Sequence, residues 1–234
     1  MFKRFRELGA GLFLAKCLKV AGLRLEDAYL KKKRYGTEKN KVFDITVDDI
    51  KFKMSFKDYE VNKAIQERID GVREPETTSI IRSMLKPGDN VLELGGCYGY
   101  FTQIMADSVG RSGKIVSIDG LPNNFKILDY NIKLNSLKNV ECFNYFIGSK
   151  GKSIDFELDA TSPYAGINDY NNGAQNGQPK TKTVTVSCIN IVDFLNELEF
   201  TPTHIFMDIE GFEVDVIEQL SARFLNKFSP TLVF

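Results

Sequence analysis

The run Asn90-Val91-Leu92-Glu93-Leu94-Gly95-Gly96-Cys97-Tyr98-Gly99 limits what this chain can fold into more than any other stretch. An apolar segment carries a carboxylate near its end, and three glycines follow within five residues. A helical pattern then begins at Tyr100-Phe101-Thr102. The sequence reads as a first core strand, a tight turn and the start of a helix. Glycine admits positive φ and lets a ligand approach the backbone closely. The helix start aims unpaired N–H groups at whatever occupies the turn. Such a turn suits a nucleotide-like cofactor.

The rest of the chain supplies the sheet that this turn needs. Apolar strands are expected at Val91–Leu94, Lys114–Asp119, Val140–Ile147, Ser153–Leu158, Thr183–Ile189 and His204–Asp208, with another starting at Thr231. Helical patterns fall at about 99–109, 122–136, 190–198 and 212–226. Strands alternating with helices indicate an α/β fold, a doubly wound and mostly parallel sheet. Upstream, residues 42–56 alternate as a small hairpin around Asp48-Asp49, and 58–70 and 76–85 read as helices. Glu74-Pro75-Glu76-Thr77 opens the second of these, and Lys86-Pro87-Gly88-Asp89 closes it. The expected organisation is a basic helical extension over 1–41, a hairpin-and-helix lead-in over 42–85, and a cofactor-binding domain over 86–234. The chain stops inside the strand-like run Pro230–Phe234, which leads us to expect further strands beyond it.

Ligands of doubly wound sheets bind at the carboxyl ends of the strands. Three carboxylates fall there: Glu93, Asp119 and Asp208. Asp119 follows the glycine turn by about 20 residues, the position at which an acid accepts hydrogen bonds from ribose hydroxyls. That fits NAD or S-adenosylmethionine. A dinucleotide fingerprint requires G-x-G-x-x-G, whereas Thr102 stands where a third spaced glycine is expected. Glu93, at the mouth of the turn, opposes a pyrophosphate but suits an ammonium and a sulfonium. Asp208 and Glu210, in Met207-Asp208-Ile209-Glu210-Gly211, are placed to orient or deprotonate an acceptor hydroxyl. They are also the pair that a divalent cation would use. The plain alternative is that they cap the next helix. His204 starts the strand that Asp208 ends, roughly 13 Å away, so a structural role is expected for it.

Charge divides the chain. Residues 1–34 hold ten Lys and Arg against three acids, and the rest balances this to a net charge of zero. Residues 3–30 read as an amphipathic helix. Lys16, Lys19 and Arg24 exclude a membrane span there, and no clean cleavage site marks a signal peptide. The helix is expected either to pack on a protein surface or, with Lys31–Arg34, to lie on an anionic membrane. The body shows no basic, aromatic-interleaved face of the kind that binds nucleic acid. Cys17, Cys97, Cys142 and Cys188 form no CxxC pair, so reduced thiols in a cytoplasmic setting are expected. The polar run 159–181 reads as a mobile loop, either a surface insertion or a lid over the acceptor.

On these motifs the chain resembles the FkbM-type S-adenosylmethionine-dependent O-methyltransferases, which have the Rossmann-like class I methyltransferase fold. The first motif of that family, D-x-G-A-N-x-G-x-x-T, is similar to Glu93–Thr102. Its E-P-x-P before an N-x-x-x-N helix is similar to Asp119-Gly120-Leu121-Pro122 with Asn131 and Asn135. Its I-D-x-E-G-x-E is similar to Met207–Glu213 and is the most specific of the three. The resemblance covers about residues 42–234. Cys97 replaces an Asn, Asn190 an Asp and Phe206 a Lys. The resemblance implies methyl transfer to a hydroxyl of a sugar, glycolipid or natural product. It further implies that Glu93, Gly95, Gly96, Cys97, Tyr98 and Gly99 hold the methionine portion of S-adenosylmethionine. Asp119 with Gly120 would hold the ribose, Phe146, Ile147 and Gly148 the adenine, and Asp208 and Glu210 the acceptor. Two rival readings are a nicotinamide-dependent oxidoreductase and a non-catalytic binding module.

Overall fold

A computed structural model describes residue 35 and residues 41–56, 62–148, 152–159, 181–209, 211–220 and 222–234. The chain divides into two units, 1–41 and 42–234, and every element named below belongs to the second. The expected basic helix over 3–30 and residues 160–180 of the expected loop lie outside the described residues.

Strands β1 (Val42–Val47) and β2 (Ile50–Ser55) pair antiparallel about Asp48-Asp49. Their strict alternation puts Phe43, Ile45, Val47, Ile50, Phe52 and Met54 on the buried face, as a period of two requires. Helix α1 (Lys63–Ile69) starts where the Asn62 side chain accepts the Ile65 N–H, a standard cap. Helix α2 (Pro75–Met84) opens on Pro75, whose missing N–H costs nothing there. Arg82 of α2 pairs with Asp49 at 2.6 Å and Asp48 at 3.3 Å, tying the hairpin turn down. The same guanidinium holds the Asp49 carboxyl below its usual range.

The core then alternates: β3 (Asn90–Leu94), α3 (Tyr100–Val109), β4 (Lys114–Ile118), α4 (Pro122–Leu134) and β5 (Val140–Phe143). Next come β6 (Phe146–Ile147), β7 (Ser153–Asp159), β8 (Thr181–Ile189) and α5 (Ile191–Glu197). The described chain ends with β9 (His204–Met207), α6 (Glu213–Gln219), α7 (Ala222–Phe228) and β10 (Thr231–Val233). The main sheet has the order β10-β9-β3-β4-β5, with every pairing parallel. Leu92, Leu94, Val116, Ile118, Ile205 and Met207 share one core with residues of α5, α6 and α7. The alternate positions face α3 and α4, so both faces are covered and the strands read as near-continuous apolar runs. The expected mostly parallel α/β sheet is present.

Two boundaries differ from expectation. The single strand expected over Val140–Ile147 is two strands in two sheets: β5 pairs with β4, while β6 pairs with β8 in a three-stranded sheet β6-β8-β7. The chain leaves the main sheet at Asn144, whose amide donates to Asp119 O (2.7 Å) and Gly120 O (3.2 Å). The helix expected over 212–226 is α6 and α7, interrupted at Leu220, whose ψ of 74° is not helical.

Candidate active site

Strand β3 lies between β4 and β9, so the chain winds away from it in both directions. Crevices of doubly wound sheets open at that switch point, at the carboxyl ends of the strands. Three backbone contacts close the turn there. Gly95 N donates to Ile118 O (2.8 Å), Asp208 N to Leu94 O (3.0 Å) and Gly99 N to Gly96 O (2.8 Å). Gly95 has φ of 93°, and a Cβ on it would overlap Asp208 O. Gly99, with φ of 82°, is the N-cap of α3. Both positions exclude other residues for stated reasons, left-handed backbone and, at Gly95, contact with the next strand. A Cβ on Gly96 would overlap the Ser117 hydroxyl.

Glu93 does not stand open at the mouth of the turn. It is 4 % exposed, and its Oε2 accepts from Thr102 Oγ1 and Ser117 Oγ, each at 2.5 Å. Burial raises its pKa, the two hydroxyls oppose that, and the charge of Asp208 adds to the rise. Thr102, which replaces the third glycine of a dinucleotide motif, thus joins α3 to the end of β3.

Asp119 is the best-placed ligand group. Its Oδ2 accepts Cys97 N (2.7 Å) and its Oδ1 accepts Leu121 N (2.8 Å), with a further hydrogen bond from the Asn124 side chain. A carboxylate has about four acceptor sites, so at least one remains for a ribose hydroxyl. Burial lifts its pKa to about 7; the Leu121 and Cys97 amides oppose this, and Glu93 adds to it. Cys97 itself adopts φ of 49°, a region that Asn tolerates better than Cys. Burial pushes its thiol up to about 12, and the charges acting on it are Arg68, Asp119 and Asp208. Tyr98 is buried, its ring edge-on to Phe56 at 5.7 Å and under Arg68 at 5.5 Å.

The three residues expected around the adenine separate. Phe146 lies beside Gly120 and packs edge-on against Phe212 at 4.7 Å. Ile147 enters the core, and Gly148 N donates to Ile189 O (2.8 Å) in the second sheet. Asp208 is exposed at the end of β9, and Glu210 lies outside the described residues. Glu213 was not among the expected site residues. Its carboxylate accepts Ile209 N (3.1 Å) and Gly211 N (2.9 Å), holding the turn that follows Asp208. Its sequence signal was an acid in the first turn of a helix. Ser117, Asn144 and Arg68 gave no such signal. His204 sits at the opposite edge, its Nδ1 2.9 Å from Thr203 Oγ1 and 3.8 Å from Asp89. Among the described residues no group of three or more His, Cys, Asp and Glu is arranged to hold a metal ion. Nor, among them, is any helix long and apolar enough to cross a membrane.

A parallel sheet of this order, with a glycine turn and acids at the ends of β3, β4 and β9, defines a Rossmann-like class I methyltransferase domain. A model of the methyltransferase FkbM domain matches residues 93–234. The chain belongs to that family, and S-adenosylmethionine is its cofactor. It is 35 % identical over 57 residues to ribosomal RNA large subunit methyltransferase E of Brachyspira hyodysenteriae, covering 24 % of this chain and 30 % of that protein. It is 34 % identical over 67 residues to protein-L-isoaspartate O-methyltransferase of Methanococcus aeolicus, covering 28 % of this chain and 31 % of that protein. The chain thus spans under a third of the length of these relatives. Among solved structures it is similar to a SAM-dependent methyltransferase from Aquifex aeolicus, at 18 % identity and a TM-score of 0.36, covering 68 % of this chain and 58 % of that one.

Proposed function

We propose that this protein transfers a methyl group to a hydroxyl oxygen of a small acceptor: a sugar, glycolipid or natural product. The observation that carries the reading is the position of Asp208. It is an exposed carboxylate at the switch point, its main chain packed on the Gly95 turn and its loop fixed by Glu213. S-adenosylmethionine supplies an electrophilic methyl group. Asp119 binds the ribose, the Gly95–Gly99 turn takes the methionine portion, and Phe146 beside Gly120 offers a flat apolar surface for the adenine. Asp208 accepts a hydrogen bond from the acceptor hydroxyl and aligns its oxygen for in-line attack, where positioning contributes more than proton removal by a weak base. Glu210, two residues further along the sequence, is proposed as its partner toward the acceptor. The expected location is cytoplasmic, with residues 1–34 as a basic surface for anionic membranes.

The test is incubation of the full chain with a methyl-labelled donor and three acceptor pools, followed by mass spectrometry. Label is expected on hydroxyls of the glycan and lipid extract. Label confined to RNA or to an isoaspartyl peptide would move the acceptor to the classes named by its relatives.

A further inference from the structure

S-adenosylmethionine brings three charges to its site: a sulfonium, an ammonium and a carboxylate. Of the three acids at the strand ends only Asp208 is exposed, and none of them can act as counter-charge to the carboxylate. Arg68, at the end of α1, meets that need. It is 7 % exposed. Its Nη1 donates to Ala64 O of its own helix (3.0 Å), and its guanidinium lies 5.5 Å from the centre of the ring of Tyr98, a residue of the glycine turn. Its Nε is buried with no hydrogen-bond partner, and among the described residues no acid forms an ion pair with it. Its charge also acts on the Cys97 sulfur, together with those of Asp119 and Asp208.

A buried cation without an anion is costly, and natural proteins pair or hydrogen-bond such groups. The arginine fork matches a carboxylate with two parallel hydrogen bonds, and such charge-assisted pairs are the strong ones. We propose that Arg68 binds the carboxylate of the cofactor's methionine portion and selects adenosyl ligands that carry the full amino acid. The proposal rests on S-adenosylmethionine being the cofactor. It assigns a cofactor contact to the lead-in segment, upstream of the residues that the family model matches.

Calorimetric titration with S-adenosylhomocysteine and with its decarboxylated form tests this on the full chain. The two ligands share the thioether and the amine and differ only in the carboxylate. Wild type is expected to favour the carboxylated ligand by about tenfold or more, the usual worth of a hydrogen-bonded ion pair. Arg68→Gln should erase the preference and leave affinity for the decarboxylated ligand within about threefold of wild type. Arg68→Lys, which keeps the charge without the fork, should retain part of it. A preference that survives Arg68→Gln, or equal losses for both ligands, overturns the proposal and leaves the cofactor in place. So does a wild-type ratio near one, which needs no variant to fold. Wild type that binds neither ligand overturns both the proposal and the cofactor assignment.

Discussion

At the scale of single residues, the site is a set of carboxylates with different degrees of exposure. Asp119 is buried, and its pKa is lifted to about 7. In the unfolded chain it titrates near 4. Between those values the folded state holds the proton and the unfolded state does not, so Asp119 makes the ligand-free protein less stable as pH rises from about 4 to 7. A ribose hydroxyl needs the ionised form as its acceptor. Affinity for S-adenosylhomocysteine should therefore rise with pH, by up to about tenfold per unit below 7, and level off above it. Titrations in two buffers of different ionisation heat should show a proton released on binding at pH 6. Asp119→Asn should flatten the profile and weaken binding at pH 8. Asp208 is exposed; in the role proposed for it beside the reacting methyl group, its charge should distinguish sulfonium from thioether. Asp208→Asn is expected to lower kcat by about a hundredfold, the scale of a positioned carboxylate. It should also weaken S-adenosylmethionine more than S-adenosylhomocysteine, and equilibrium binding of the two ligands measures that difference.

At the scale of elements, Asn131 of α4 and Asn135, its C-cap, show what was readable and what was not. Asn131 accepts Ser55 N (2.8 Å) and donates to Ser55 O (3.1 Å) and Tyr98 O (2.9 Å). Asn135 accepts Lys53 N (2.8 Å) and donates to Lys53 O (2.7 Å). Each amide offers an acceptor and donors, as a peptide group does, so the pair satisfies the open edge of β2 as another strand would. Asn131 is fully buried, and Asn131→Ala leaves three backbone groups unpaired. A loss of about 2–4 kcal/mol in urea unfolding is expected, against about 1 for the more exposed Asn135→Ala. The N-x-x-x-N spacing was visible in the sequence, but its target, 76 residues upstream, was not. The parallel strands were legible because burial on both faces writes them as apolar runs. Glu93, Asp119 and Asp208 were legible as acids at or near the carboxyl ends of these strands because each closes or follows such a run. The break at Asn144, the inward turn of Glu93 and the position of Arg68 were not. Each depends on side chains meeting across long sequence separations, and no local period records them.

At the scale of the whole molecule, the glycine turn, β4 and β9 meet at the switch point, and the proposed Arg68 contact would add α1 to them. A ligand that bridges them should raise the cooperative stability of the entire sheet rather than order one loop. At a hundred times its dissociation constant, a ligand bound only by the folded state adds about 2.7 kcal/mol. For a body of this size that corresponds to roughly 5–10 °C in Tm. S-adenosylhomocysteine should produce this shift. NADH should not, because a pyrophosphate at the turn would meet the exposed Asp208 with like charge and find Thr102 where close helix packing needs glycine. The two ligands share an adenosine, so a common shift from both would mean that adenosine contacts dominate and the acids do not discriminate. A shift from NADH alone would assign the crevice to dinucleotides. Calorimetric scans at pH 8, where Asp119 is ionised, separate these outcomes, and repeating the S-adenosylhomocysteine scan at pH 6 should return a smaller shift through the proton that Asp119 must lose.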